Sequence, residues 1–401
     1  MTDHERTADN SDPIGFTLPA DRPATTVHYA DEGAILEAAR RIGETVLGPS
    51  AQESDLAAGP NERNMRALAE AGLFGLFIPQ EYGGLNASGT TLWEYTSILA
   101  SYCGVTTFTQ AQHHGPSRMI ANGPNADLKA RLLPDLARGD VMAGISFAHL
   151  RRPGPPVLRA TPVAGGYKLD GKSPWVTGWG LIRQIVIGAT LPDGRFVYLW
   201  TPCRREDFPG LFADIRMEDD DGGRLCASQP LRLSAMNASG TVEITWENWF
   251  IPEAHLLSES DRETMQRNDR NGVLGGTALP LGCAEACVRL LQQTAENRSI
   301  TAIRRAADSF AAELQDARSQ TKEWNQRQSE YDFFPRAVQI RAWCIELAMR
   351  AAQATVAASS GAANSVTHPA QRLLREAMFY TVQAQTHEVM DATLTRLERT
   401  A

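Results

Sequence analysis

The spacing of apolar positions changes twice along this chain. Over about residues 29–143 they recur with a helical period. Ile35, Ala39, Ile42 and Val46 form one stripe, and Met65, Leu68 and Leu73 a second that Gly72 and Gly75 end. Leu92, Tyr95, Leu99 and Tyr102 form a third. From about 144 to 252 the pattern is that of strands. Ile185-Val186-Ile187 and the run 196–200 flank Pro192-Asp193-Gly194, which predicts a hairpin, and 241–249 alternates as a further strand. Helical spacing returns from about 262, with Trp343, Leu347, Ala351, Ala354 and Val356 on one long Ala-rich helix. Helices, then strands, then helices predict a composite α+β protein with a β-domain between two helical regions.

Composition narrows the picture further. A chain of 401 residues can bury a large core, and a net charge of −8 argues against nucleic-acid or anionic-membrane surfaces. Apolar runs stop short of the roughly 20 residues a membrane span needs. Residues 1–28 are polar, without the apolar stretch of a signal peptide, and read as disordered. The six cysteines are scattered. Cys283 and Cys287 are one helical turn apart, with no second pair or nearby His to complete a metal site. They read as reduced and mostly buried, in a cytoplasmic protein with no metal.

The most informative stretch is 165–180. Gly165-Gly166 and Asp170-Gly171 read as tight turns around a short strand, and in the next strand Trp175 and Thr177 fall on one face. An aromatic plane beside a hydroxyl suits a flat heterocycle. The plainer reading is a core Trp next to a strand Thr. The stretch resembles the flavin-contacting G-x-K-x-W-I-T-N strand of the acyl-CoA dehydrogenase family, with Gly178 in place of Asn. Residues 73–84, which include Pro79 and end Glu81-Tyr82-Gly83-Gly84, are similar to that family's G-L-x-x-P-x-E-Y-G-G signature. Trp249-Phe250-Ile251-Pro252 is similar to its exit from the β-domain. The resemblance runs over about residues 30–398. It implies a multi-domain α+β fold: an N-terminal helical domain (29–143), a central β-barrel-like domain (144–258) and a C-terminal antiparallel helix bundle (259–401). It also implies FAD with its ring on Trp175 and its reactive edge near Thr177, and a homodimer or homotetramer.

Several functional positions depart from the family. Arg372-Leu373-Leu374-Arg375-Glu376-Ala377 resembles R-x-x-R-D-A, so the catalytic E-G-T slot becomes Ala384-Gln385-Thr386, which offers no base. Glu388 reads as structural. A minority of the family carries the base on the first helix of the C-terminal domain. Asp269 lies near that slot, although an ungapped match from Pro280-Leu281-Gly282 puts Gly272 in it. Asp269 is therefore the candidate general base, against the plainer reading of a solvated carboxylate. Where the family reads T-E-P-x-x-G-S-D, Ser146 stands for the Thr, and His149, Arg151 and Arg152 suggest a cluster facing a diphosphate, or else exposed arginines. Arg298 and Gly361 replace family elements that hold the FAD of a neighbouring subunit, so retention of the adenosine end should be weaker. His113, in His113-His114, falls where flavin monooxygenases of this fold use a histidine to hold the oxygenated flavin. A buried packing histidine is the alternative.

Three functions fit these residues. One is a flavin oxidoreductase acting on an acyl thioester, linked to CoA or a carrier protein, by CH–CH oxidation with an electron-transfer partner. Another is a monooxygenase using O2 and reduced flavin, FMN or FAD, supplied by a flavin reductase. The third is a non-catalytic subunit of a hetero-oligomer.

Overall fold

A computed structural model describes residues 27–203, 215–219 and 222–398. The N-terminal stretch read as disordered lies, apart from its last two residues, outside the described residues. Six helices come first: α1 (Glu32–Ile42), α2 (Gly48–Leu56), α3 (Glu62–Glu70), α4 (Gly89–Ala100), α5 (Gly104–Asn122) and α6 (Ala126–Arg138). Most begin on a polar side chain that accepts an otherwise orphaned backbone N–H. Asp31 accepts from Ala34, Asn61 from Asn64, Ser88 from Thr91 and Asn125 from Leu128. The predicted stripes appear as buried faces: Ile35, Ala39 and Ile42 on α1, and Met65 and Leu68 on α3. Leu73 and Tyr102 lie just beyond the helices they were assigned to, in the turns that follow.

The strands are β1 (Met142–Ser146), β2 (Leu158–Val163), β3 (Gly166–Val176), β4 (Ile182–Thr190), β5 (Phe196–Pro202), β6 (Ile215–Glu218), β7 (Arg224–Ala227), β8 (Val242–Pro252) and β9 (Leu256–Ser260). They form one sheet in the order β6-β7-β8-β3-β2-β4-β5-β9, with β1 parallel to β4. The β4–β5 hairpin pairs Ile187 with Leu199, as the sequence predicts. One prediction is corrected. Asp170-Gly171 is not a turn but a bulge within the continuous strand β3, where pairing to β8 shifts register between Leu169 and Gly171. Gly171 takes φ +126°, and a Cβ there would sit 2.2 Å from the Val157 carbonyl oxygen, so only glycine fits. The turn lies at Gly165, φ +79°, between β2 and β3.

The C-terminal helices are α7 (Arg262–Asn271), α8 (Ala278–Arg298), α9 (Thr301–Asn325), α10 (Phe333–Ser359), α11 (Pro369–Tyr380) and α12 (His387–Leu397). A 3-10 turn, Val273–Thr277, joins α7 to α8. The 26 residues Val273–Arg298 include a window apolar enough for a membrane span, but 72% of that window is buried within the fold, as in a core helix. α10 packs on α8, α9, α11 and α12, and α4 lies against α8. One apolar core joins the three regions, taking in Leu68 and Leu99, Trp246 and Ile185, and Leu281 and Leu347. Five of the six cysteines are buried, Cys226 is half-buried, and none is in a disulfide.

Polar ties reinforce this junction. Asp55 on α2 is buried and paired with Arg375 on α11. Arg375→Met would leave a buried carboxylate without a counter-charge, which costs roughly 3–5 kcal/mol. Urea unfolding should show that loss, and the added change Asp55→Asn should recover part of it. Wild-type stability in Arg375→Met would contradict this account.

Candidate functional site

β3 leads into the site. Trp175, near its end, is 46% exposed, an unusual state for a Trp beside a sheet core. Thr177, one residue past the strand, is buried, and its Oγ1 lies 2.8 Å from Oγ1 of Thr241, which in turn lies 2.8 Å from Oγ of Ser239. This hydroxyl chain fixes Thr177 at the rim. The backbone turns away at Gly178 (φ +88°), whose N–H donates to the Ser239 carbonyl. Ser146 ends β1. Its Oγ is buried and has no hydrogen-bond partner. A buried hydroxyl normally finds a partner, so this one suits an absent ligand. An exposed indole, a fixed Thr and an orphaned Ser hydroxyl fit a flavin ring.

The basic cluster is rearranged. After Ser146 the chain makes a 3-10 turn, Ala148–Arg151. Within it His149 is buried, and its Nε2 lies 2.8 Å from the Gly188 carbonyl oxygen. Burial holds its pKa down at about 4, so it is a neutral packing residue and not a third cation. Arg151 reaches across to α7, donating from Nε to Asp269 Oδ2 (2.8 Å) and from Nη2 to Oδ1 (2.7 Å). The candidate phosphate ligand and the candidate base are thus partners in one bidentate ion pair. Arg152 is exposed.

Arg298, at the end of α8, donates from Nη1 to the Ala358 carbonyl (2.6 Å) and to Ser360 Oγ (3.0 Å). This places it beside Gly361, where a built Cβ would meet nothing within 4 Å. The structure brings those two residues together at one end of the helix bundle.

His113 is fully buried on α5, its Nδ1 accepting from the Ala143 N–H at 3.1 Å and its Nε2 3.1 Å from Ser117 Oγ. Both nitrogens are occupied, and burial lowers its pKa to about 3. Its neighbour His114 differs. Both its nitrogens are buried without partners among the rings of Phe77 and Tyr95, and burial lowers its pKa to about 4.

Residues 30–140 match the family model described as acyl-CoA dehydrogenase, N-terminal domain. A 2-methylacyl-CoA dehydrogenase of Solanum tuberosum is 24% identical over 380 residues, covering 88% of this chain and 87% of the relative. Butyryl-CoA dehydrogenase from Megasphaera elsdenii superposes with a TM-score of 0.75 at 18% identity, over 94% of this chain and 100% of that one. The chain carries an acyl-CoA dehydrogenase N-terminal domain on the fold of that family. The same fold is shared with dibenzothiophene monooxygenase from Paenibacillus sp. A11-2, with a TM-score of 0.72 at 17% identity over 90% of this chain and 96% of that one.

Within this acyl-CoA dehydrogenase fold, the loop holding Ala384 is fastened by a residue that sequence reasoning missed. Arg341 on α10 is 5% exposed and donates from Nη2 to the carbonyls of Gln383 (2.9 Å) and Ala384 (3.0 Å). A signal was present: Arg341 interrupts the apolar face formed by Ala337, Cys344 and Ala348. Ala384 takes φ +48°, a left-handed conformation that side chains disfavour.

His113, His114, His149 and His255 all have pKa values lowered to about 3 or 4, mainly by burial. Unfolding returns each to about 6.5, so below that pH the unfolded chain binds more protons than the folded one. Stability should fall as pH drops from about 6.5 toward 4, by up to about 1.4 kcal/mol per pH unit for each histidine, and this contribution levels off below that range. Denaturant unfolding from pH 7 to 5 reads the slope, which His114→Leu should reduce by about one proton. An unchanged slope in His114→Leu would show that His114 does not titrate on unfolding.

Proposed function

We propose that this chain is a flavin-dependent oxidoreductase that holds FAD against Trp175 and oxidises an acyl thioester, or a related small substrate, across a carbon–carbon bond. The observations that carry this reading are the exposed Trp175 ring and the buried, unpartnered hydroxyl of Ser146. Trp175 would pack on the ring. Thr177, steadied by Thr241 and Ser239, and Ser146 would bond its polar edge. Bound there, the flavin supplies a two-electron acceptor. A hydroxyl pinned by a neighbouring hydroxyl meets its ligand without further ordering, which favours binding.

Removal of an α-proton needs a base. Asp269 is the carboxylate proposed for it, and because both its oxygens accept from Arg151, it can act only once that pair opens. A second reading follows from the same observations. With Ala384 in the usual base slot and Asp269 engaged, the site also suits a monooxygenase that uses reduced flavin and O2 and needs no α-proton base. An electron-transfer partner belongs to the first reading, a flavin reductase to the second.

Two substitutions test these assignments. Trp175→Ala should weaken binding of oxidised or reduced flavin by about 10²-fold, a few kcal/mol of stacking and burial. Titration of both flavin forms decides it, and parental affinity for both would remove Trp175 from the site. Asp269→Asn should slow acyl-thioester turnover by about 10²–10⁴-fold if Asp269 is the base. If turnover is intact, α-proton removal does not depend on Asp269.

A further inference from the structure

α7 buries a single side chain, Met265, fewer than any other α-helix described. Met265 lies with Leu150 of the 3-10 turn and Phe196 of β5 in a small apolar cluster apart from the main core. Toward the ends of the helix, Arg262 sits over the Phe196 ring at 5.6 Å and Arg270 over the Phe334 ring at 5.1 Å. Cation–π contacts at exposed positions are weak. One buried methionine and two such contacts leave the seating of α7 on the sheet to depend largely on the Arg151–Asp269 ion pair.

That pair is open to water. The Arg151 side chain is 40% exposed and that of Asp269 24%. An exposed ion pair opens at small cost, because both partners regain solvent. Arg152, next along the chain, is also exposed and makes no ion pair among the described residues. A guanidinium fork fits a phosphate as well as a carboxylate. A diphosphate could therefore engage both arginines, whereas Asp269 engages one. Arg151 follows Ser146 by only a few positions, so their backbones lie within about 18 Å, the reach of an extended chain of that length.

We infer that the Arg151–Asp269 pair is a latch opened by a diphosphate ligand, which takes Arg151 together with Arg152 and releases Asp269. Two ligands of the proposed reaction carry this group, a flavin dinucleotide and the CoA end of an acyl thioester. The released carboxylate stays in the field of Arg341, whose pKa burial lowers to about 10 and the charge of Asp269 draws back upward. Asp269 is thus freed for proton removal only in the loaded protein. That consequence rests on the reading of Asp269 as the base and of the Trp175 side as the flavin site.

The test is a double-mutant cycle on affinity rather than turnover. FAD and CoA are titrated separately, by calorimetry, into the parent, Asp269→Asn, Arg151→Gln and the double variant. Asp269→Asn removes the competing charge and should tighten binding of the opening ligand by about three- to tenfold. Arg151→Gln should weaken it by at least about tenfold, and in that background Asp269→Asn should change nothing further. Whichever ligand shows this pattern is the one that opens the latch. A second measurement needs no variant: amide hydrogen exchange across residues 262–271 of the parent should rise when that ligand saturates it. The inference is overturned if Asp269→Asn leaves affinity for both ligands unchanged or lowers it, or if exchange in α7 does not rise. Inorganic pyrophosphate separates the latch from the flavin reading. The pattern with CoA or pyrophosphate in a protein that takes up no FAD keeps the latch and sinks the flavin site. Binding of none of the three overturns the latch.

Discussion

Burial at the junction of sheet and helices is the constraint on which the rest of this structure depends. One apolar core runs from the N-terminal helices through the sheet into the C-terminal bundle, so any polar group placed along it must find a partner or lose hydration uncompensated. Most do. Asn64 joins Ser50, Ser54 and Thr106 in a buried network, and His113 ties α5 to the first residues of β1. Some do not. Ser146 Oγ, both nitrogens of His114 and Nε of Arg341 are left without partners.

The exposed Trp175 and the anchored Thr177 belong to the sheet domain, and the Ala384 loop to the helix bundle. The Arg151–Asp269 pair bridges the two sides. The ion pair is partly open to solvent, and such pairs contribute little to stability unless their geometry is good. This one is bidentate, so it orders the turn after Ser146 against α7. The charge pattern differs from that of a site built around a free carboxylate. The buried cation Arg341 is held by carbonyls, and the carboxylate of Asp269 is committed to Arg151.

How far the site could be read beforehand varies by residue. Strand alternation placed Trp175 and Thr177 on one face, but β3 ends at Val176, and Trp175 is exposed while Thr177, just past the strand, is buried. The bulge at Gly171 could not be read beforehand, because Asp-Gly has the same local preference for a turn whether or not a second strand pairs across it. His149 looked cationic beside two arginines, and only its burial in the fold makes it neutral, against the opposing pull of its bond to the Gly188 carbonyl. Arg151 looked free for a phosphate until α7 was brought against it. Between His113 and His114, adjacency in sequence could not say which was satisfied, since that depends on Ser117 and on the distant Ala143.

The sequence by itself determined the order of helical and strand regions, the buried faces of α1 and α3, and the absence of an ionisable group at Ala384. These are properties of residue identity and local period, which do not change with what packs against them. Tertiary structure alone decided which charges are compensated. Arg372 has Glu376 one turn along the same helix, but Asp55 is 320 positions from Arg375, Asp269 is 118 from Arg151, and Arg341 meets carbonyls more than 40 positions away. Electrostatic and hydrogen-bond energies depend on distance and burial in space, and chain separation carries almost no information about either.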